Sequence, residues 1–199
     1  PLMKFDFSTP TPLQYFTTLV RSDEHLPLLE AAASLAQDEY PELDVQQVLS
    51  DVDHLAARLK RRVAEGAGAM DRLRALNQLF FADLGFGGNV NDYYNPDNSY
   101  LHRVLHTRRG IPISLAVLWL ELAQGLGLNV QGIGFPGHFL VQVTLDEGRV
   151  VIDPFTGQSL GRGKLRERIE EFHPQLPYTP SSDLPLALYL RPAGPRQIL

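Results

Sequence analysis

Apolar residues recur at helical spacing through the first eighty positions of the chain. Thr11-Pro12 is a helix opening, a cap residue followed by proline at the first helical position. Leu26, Leu29, Ala32, Ala33 and Ala36 continue the pattern and stop before Pro41. Asp44 is placed to cap a third helix whose stripe is Val45, Val48, Leu49, Val52, Leu55, Ala56 and Leu59, broken by Gly66 and Gly68. A fourth runs from about Met70 through Leu73, Leu76, Leu79 and Phe80 to Gly85. A loop follows to Asn98, then a short helix over residues 99–106. The helix opening at Ile111-Pro112-Ile113 is apolar nearly all round, with Ser114, Glu121 and Gln124 as its polar exceptions, which marks it as buried on every side. Gly125 and Gly127 close it.

Beyond residue 129 the period changes from helical to alternating. Residues 130–135, 138–145 and 150–153 read as strands. In the second, Phe139, Val141, Val143 and Leu145 face one way, and His138, Leu140, Gln142 and Thr144 the other. Asp146-Glu147-Gly148 supplies an antiparallel turn. A charged helix from about residue 164 to 172 precedes a tail, 174–199, that holds 6 of the 15 prolines and reads as an extended covering segment. The pattern predicts an α+β fold. Its parts are a helical region over 1–85, a core of buried helix and small antiparallel sheet over 86–173, and the proline-rich tail over 174–199.

Composition narrows the chemistry. The 199 residues contain no cysteine, which excludes disulfides, cysteine-held metals and a thiol nucleophile. The net charge is −5, from 18 basic and 23 acidic side chains, so no electrostatic footprint for nucleic acid or an anionic membrane is expected. No apolar run is long enough to span a bilayer, and no basic start followed by an apolar stretch marks a signal peptide. The cytoplasm is the default expectation. The opening Pro1-Leu2-Met3 suggests a natural start at Met3.

Most of the polar clusters have bland explanations. The glycines between Gly85 and Gly88 lack the preceding strand of a dinucleotide fingerprint, and Asp92 and Asp97 lack calcium-loop spacing. Gly157 to Lys164 departs from phosphate-loop spacing. His102 and His106, one helical turn apart, have no third ligand nearby in sequence and read as a solvated face, while His25, His54 and His173 are isolated. Neither a metal nor a cofactor is expected. His138 and Asp153 differ. A strand-borne histidine paired with an aspartate is the arrangement that orients an imidazole as a base. A turn centred between Glu147 and Gly148 puts both on one face but roughly 13 Å out of step. The competing reading is a strand-end histidine and a turn-forming aspartate before Pro154.

Four motifs in order carry a family resemblance: Asn95-Pro96-Asp97-Asn98-Ser99-Tyr100-Leu101, Arg108-Arg109-Gly110-Ile111-Pro112-Ile113-Ser114-Leu115, Gly134-Phe135-Pro136-Gly137-His138-Phe139-Leu140-Val141 and Asp153-Pro154-Phe155. They resemble the SirB-type transglutaminase-like family, and with Leu76-Asn77 and Gly88-Asn89 upstream the resemblance covers roughly residues 20–165. The resemblance implies a transglutaminase/papain-like core, in which active relatives carry Cys at the start of the central helix, His on the following strand and Asp on the next. His138 and Asp153 match the latter two, and Pro112 falls where Cys would be. The expected function is therefore a catalytically silent module with a binding or scaffolding role for a protein or peptide. Its cleft would be lined by Pro112, Phe135 and Pro136 beside Ser114, and His138 and Asp153 would be kept as a hydrogen-bonded pair. The alternative is a serine hydrolase or acyltransferase using Ser114, His138 and Asp153, with Ser114 otherwise an ordinary first-turn residue. Family members commonly continue into helical repeats, and the chain ends where those would begin. Oligomeric state is left open by the sequence.

Overall fold

The computed structural model describes residues 27–135, 138–172 and 192–193. The expected Thr11-Pro12 helix, most of the proline-rich tail and Pro136 lie outside them. Helix α1 (Leu28–Glu39) buries Leu29, Ala33 and Ala36. Helix α2 (Val45–Lys60) is capped as its sequence predicts, the Asp44 carboxylate accepting the Gln47 N–H at 3.2 Å. Helix α3 (Ala69–Asn77) departs from the expected single helix. Its continuation widens into a π-helical segment, Gln78–Asp83, with the Leu84 N–H reaching back to the Leu79 carbonyl. The wider turn lets both Leu79 and Phe80 be buried and stacks Phe86 on Phe80 at 4.4 Å between ring centroids.

Two-residue strands β1 (Gly87–Gly88) and β2 (Arg109–Gly110) pair in parallel. Between them lie a 3₁₀ turn (Pro96–Ser99) and helix α4 (Leu101–Thr107). Helix α5 (Pro112–Gly125) begins within the window expected from the sequence. It is buried from Ser114 through Leu120, and its largest side chain, Trp119, is fully enclosed. Strands β3 (Asn129–Phe135), β4 (His138–Leu145) and β5 (Gly148–Ile152) form an antiparallel meander, followed by helix α6 (Arg162–Phe172). A short strand β6 (Pro192–Ala193) adds to β3, giving the sheet order β5-β4-β3-β6. The fold is α+β.

The alternation along β4 divides the core as its sequence implies. Val141, Val143 and Leu145 join Leu115, Leu118 and Trp119 of α5, in a cluster that reaches back to α1 and α2. On the other face Leu140, Ile133 and Val151 pack against Leu165 and Ile169 of α6. The sheet is thus covered on both sides, by α5 on one and α6 on the other.

Trp119 is the one tryptophan, and its indole N–H is the polar group that such a position must satisfy. It donates to Asn77 Oδ1 at 3.0 Å, tying α5 to the last residue of α3. Asn77→Leu leaves that buried donor unpaired and is expected to lower unfolding stability by about 1–3 kcal/mol. The urea midpoint of the variant against the parent chain measures it.

Candidate functional site

The N-terminus of α5 carries one of the four family motifs, Arg108 to Leu115. Ile111 caps the helix in an extended conformation and Pro112 occupies its first position, where no intrahelical N–H bond is lost. Ser114 is the third residue of the helix, and its hydroxyl is buried. Its Oγ accepts the Ile111 N–H at 3.2 Å and donates to the Asn98 carbonyl at 2.6 Å. It is therefore one half of a capping box, reaching back to the cap residue's amide. The neighbouring Gly110 admits it: a Cβ on Gly110 would lie 2.6 Å from Ser114 Oγ.

Asn98 extends this brace into the loop. Its amide donates to the Asp92 and Tyr93 carbonyls at 2.7 and 3.0 Å, and its Oδ1 accepts from Asn89 at 3.0 Å. The Asn89 N–H donates to the Gly110 carbonyl, and the Gly88 N–H donates to the Phe155 carbonyl. Gly88 is required by close approach, since any Cβ there would overlap the Phe155 ring at 2.1–2.3 Å. On its outer side this same loop exposes Val90, Tyr93 and Tyr94, with Tyr94 92% accessible.

His138 and Asp153 lie on the α6 face of the sheet. The hairpin between β4 and β5 turns tightly on Asp146-Glu147, with Leu145 paired to Gly148. Gly148 has a φ of 139°, which favours glycine. This is neither the longer nor the bulged turn that direct pairing of His138 with Asp153 requires. Continuing the ladder sets Asp153 opposite Leu140, two residues or about 7 Å from the His138 position. The expected hydrogen bond between them is not formed. One Asp153 oxygen instead accepts the Phe155 N–H at 2.8 Å. The other lies 2.8 Å from Arg168 Nη1 in a largely buried ion pair, a contact of charges whose N–H is not aligned as a hydrogen bond.

His138 remains within electrostatic reach of this pair. Burial holds its pKa below the usual histidine value, the Arg168 charge pushes the same way, and Asp153 and Glu171 oppose both. No hydrogen bond links Ser114 to His138 among the described residues, and the Ser114 hydroxyl has the Asn98 and Ile111 carbonyls as its acceptors, at 2.6 and 3.1 Å. Pro112 is half-buried at the helix start. Pro136 and the Phe135 side chain, the other two expected lining groups, lie outside the description. His54 and His102, by contrast, are neither isolated nor simply solvated: with His106 they line one cavity between α2 and α4.

The family model of the transglutaminase-like superfamily matches residues 46–199. The chain belongs to that superfamily. Among its relatives, a UPF0162 protein of Xylella fastidiosa is 42% identical over 178 residues, covering 89% of this chain and 62% of that protein. A UPF0162 protein of Pseudomonas aeruginosa is 31% identical over 172 residues, covering 86% of this chain and 60% of the relative. The human F-box only protein 21 is 39% identical over 99 residues, which is 46% of this chain and 15% of that protein. The chain thus spans about three fifths of the length of its UPF0162 relatives. No helix among the described residues is long and apolar enough to cross a membrane.

In this transglutaminase-like chain the residue that pattern reading missed is Arg168. It stands between Leu165 and Ile169 on the buried side of α6, so a charge on an otherwise apolar stripe was its signal. Removing it while Asp153 stays ionised strands a buried carboxylate. Arg168→Met is expected to cost about 3–5 kcal/mol, and combining it with Asp153→Asn to recover part of that loss. Chemical denaturation of the two variants measures both. A second expectation concerns pH. Because the folded protein holds His138 with a pKa below its unfolded value of 6.5, the unfolded chain takes up the proton first. Stability contributed by His138 is therefore full above 6.5 and declines as pH falls from there toward the lower folded value. His138→Gln should flatten the stability profile in that window, read as thermal midpoints from pH 7.5 to 5.

Proposed function

We propose that this chain is a non-catalytic transglutaminase-like module of the SirB type, in which the end of the former catalytic helix serves to present a binding loop to a protein or peptide partner. The observation that carries the reading is the Ser114 hydroxyl. It is buried and its acceptors are the backbone carbonyls of Asn98 and Ile111, which supports reading the one hydroxyl in the first turn of α5 as a structural brace. Thioester chemistry needs a thiolate, and the chain has no cysteine. Pro112 keeps the helix start and brings no nucleophile to it. The Asp153 carboxylate, which in a working triad would orient the imidazole, is neutralised by Arg168.

What the brace supports favours binding. The loop it holds exposes Val90 and Tyr94 at 78% and 92%, with Tyr93 packed edge-on to Tyr94 and tilted against Phe155. Rigid aromatic side chains held out from a hydrogen-bonded loop are the type of group that anchors protein interfaces. The loop backbone is fixed by Asn89, Asn95 and Asn98, so little ordering cost remains to oppose binding. The reading is soluble, cofactor-free and independent of nucleic acid.

A fluorophosphonate probe tests the catalytic alternative. No labelling of Ser114 is expected, and Ser114→Ala should lower the thermal midpoint without removing any amine-incorporation or peptide-hydrolysis signal. Stoichiometric labelling at Ser114, or turnover abolished by Ser114→Ala in a folded protein, would overturn the proposal. For the binding surface, peptides selected from a displayed random library on the parent chain should bind Tyr94→Ser at least about tenfold more weakly, with the variant's stability unchanged. Peptides that ignore Tyr94 and compete at the Pro112 end instead would relocate the surface.

A further inference from the structure

A cavity of about 430 Å³ lies between α2 and α4, and Ser114 is not among its lining residues. Its polar lining is Asp51 and His54 from α2, His102 and His106 from α4, and Arg108 at the end of α4. Asp51, His54 and Leu55 share one face of α2, and His102 and His106 one face of α4, so two helices turn their polar groups toward one space. Three imidazoles and a guanidinium meet there, yet no three of the described His, Asp or Glu side chains are grouped to hold a metal ion.

Arg108 is the anomaly. It is the one non-glycine residue with positive φ among the described residues, 62°, and it closes α4 in the left-handed conformation. Glycine or asparagine meets that requirement with less strain, so what the position supplies is the side chain. The guanidinium is half-buried and lies 4.6 Å over the Phe86 ring. Among the described residues it has no carboxylate within ion-pair distance, and its Nη1 is buried without a hydrogen-bond partner. Nearby, His102 Nδ1 is likewise buried and unpartnered. A half-buried cation with an unpaired donor is best compensated by an anion. Burial and the charge of Arg58, on the same face of α2, add to that demand.

We propose that this cavity binds the phosphate group of a small phosphorylated polyol or sugar, with Arg108 as the fixed charge, His54, His102 and His106 as N–H donors, and Asp51 as acceptor for a hydroxyl of the organic part. The chemistry selects this class. Donors arriving from two helices suit a tetrahedral oxyanion better than a planar one. The volume exceeds a bare phosphate ion and falls in the small-ligand range. Asp51 is exposed, held by Gln47 at 2.9 Å, and is the one carboxylate in the lining. It attracts a hydroxyl and disfavours a polyphosphate.

Calorimetric titration of the purified chain at constant ionic strength tests this, with glycerol 3-phosphate, inorganic phosphate and a phosphoserine peptide as the three probes. Saturable binding of glycerol 3-phosphate is expected, with inorganic phosphate weaker. His106→Ala, an exposed position that leaves the core intact, should weaken binding by about tenfold, and Arg108→Gln should abolish it. Asp51→Asn should narrow the difference between glycerol 3-phosphate and inorganic phosphate. Absence of saturable binding, affinity unchanged by His106→Ala, equal affinity for the two small anions, or binding of the phosphopeptide alone would each overturn the proposal. None of these outcomes bears on Tyr94 or Ser114, so the docking loop stands or falls separately.

Discussion

A helix enclosed on every side cannot leave the amide groups of its first turn to water, and most of the architecture around α5 follows from that constraint. Proline at the first position removes one donor. The Ile111 amide is shared between the Ser114 hydroxyl and the Asn98 carbonyl, at 3.2 and 3.3 Å. Asn98 is then itself buried and must satisfy its own side chain, which it does by gathering the carbonyls of Asp92 and Tyr93 and the amide of Asn89. Each step fixes another stretch of loop. A turn that has no regular secondary structure is made rigid because an apolar helix beneath it needed capping.

The same economy of buried polar groups explains Asp153. Beside the α6 face of the sheet a carboxylate needs compensation, and two candidates stand near it, an imidazole and a guanidinium. The tight Asp146-Glu147 hairpin sets the imidazole about two residues off register, whereas α6 brings Arg168 into contact. A permanently charged partner is the stronger compensation for a carboxylate held away from water. The histidine is left half-buried between opposing charges, Arg168 on one hand and Asp153 and Glu171 on the other.

Much of this was legible in the residues. The apolar circumference of 113–123 announced a buried helix, Asp44 its neighbour's cap, and the alternation of 138–145 the two faces of the sheet. The proline at the helix start was readable too. The side-chain partnerships were not. The hairpin register depends on a turn whose centre is shifted by one residue, from between Glu147 and Gly148 to between Asp146 and Glu147, a difference that strand patterns do not encode. Arg168 is thirty residues from His138 and reaches Asp153 only through the packing of Leu165 and Ile169. His54 and His102 come from helices forty-eight positions apart, so only tertiary structure puts them in one cavity.

The edge of the sheet has a consequence of another kind. Beyond β3 the ladder continues for two residues, and one of them, Pro192, is paired opposite Ile133. Proline has no amide hydrogen to offer to a further strand. A proline in this strand lowers the number of amide donors available for pairing there, which disfavours extension of the sheet by a foreign β-segment at that point.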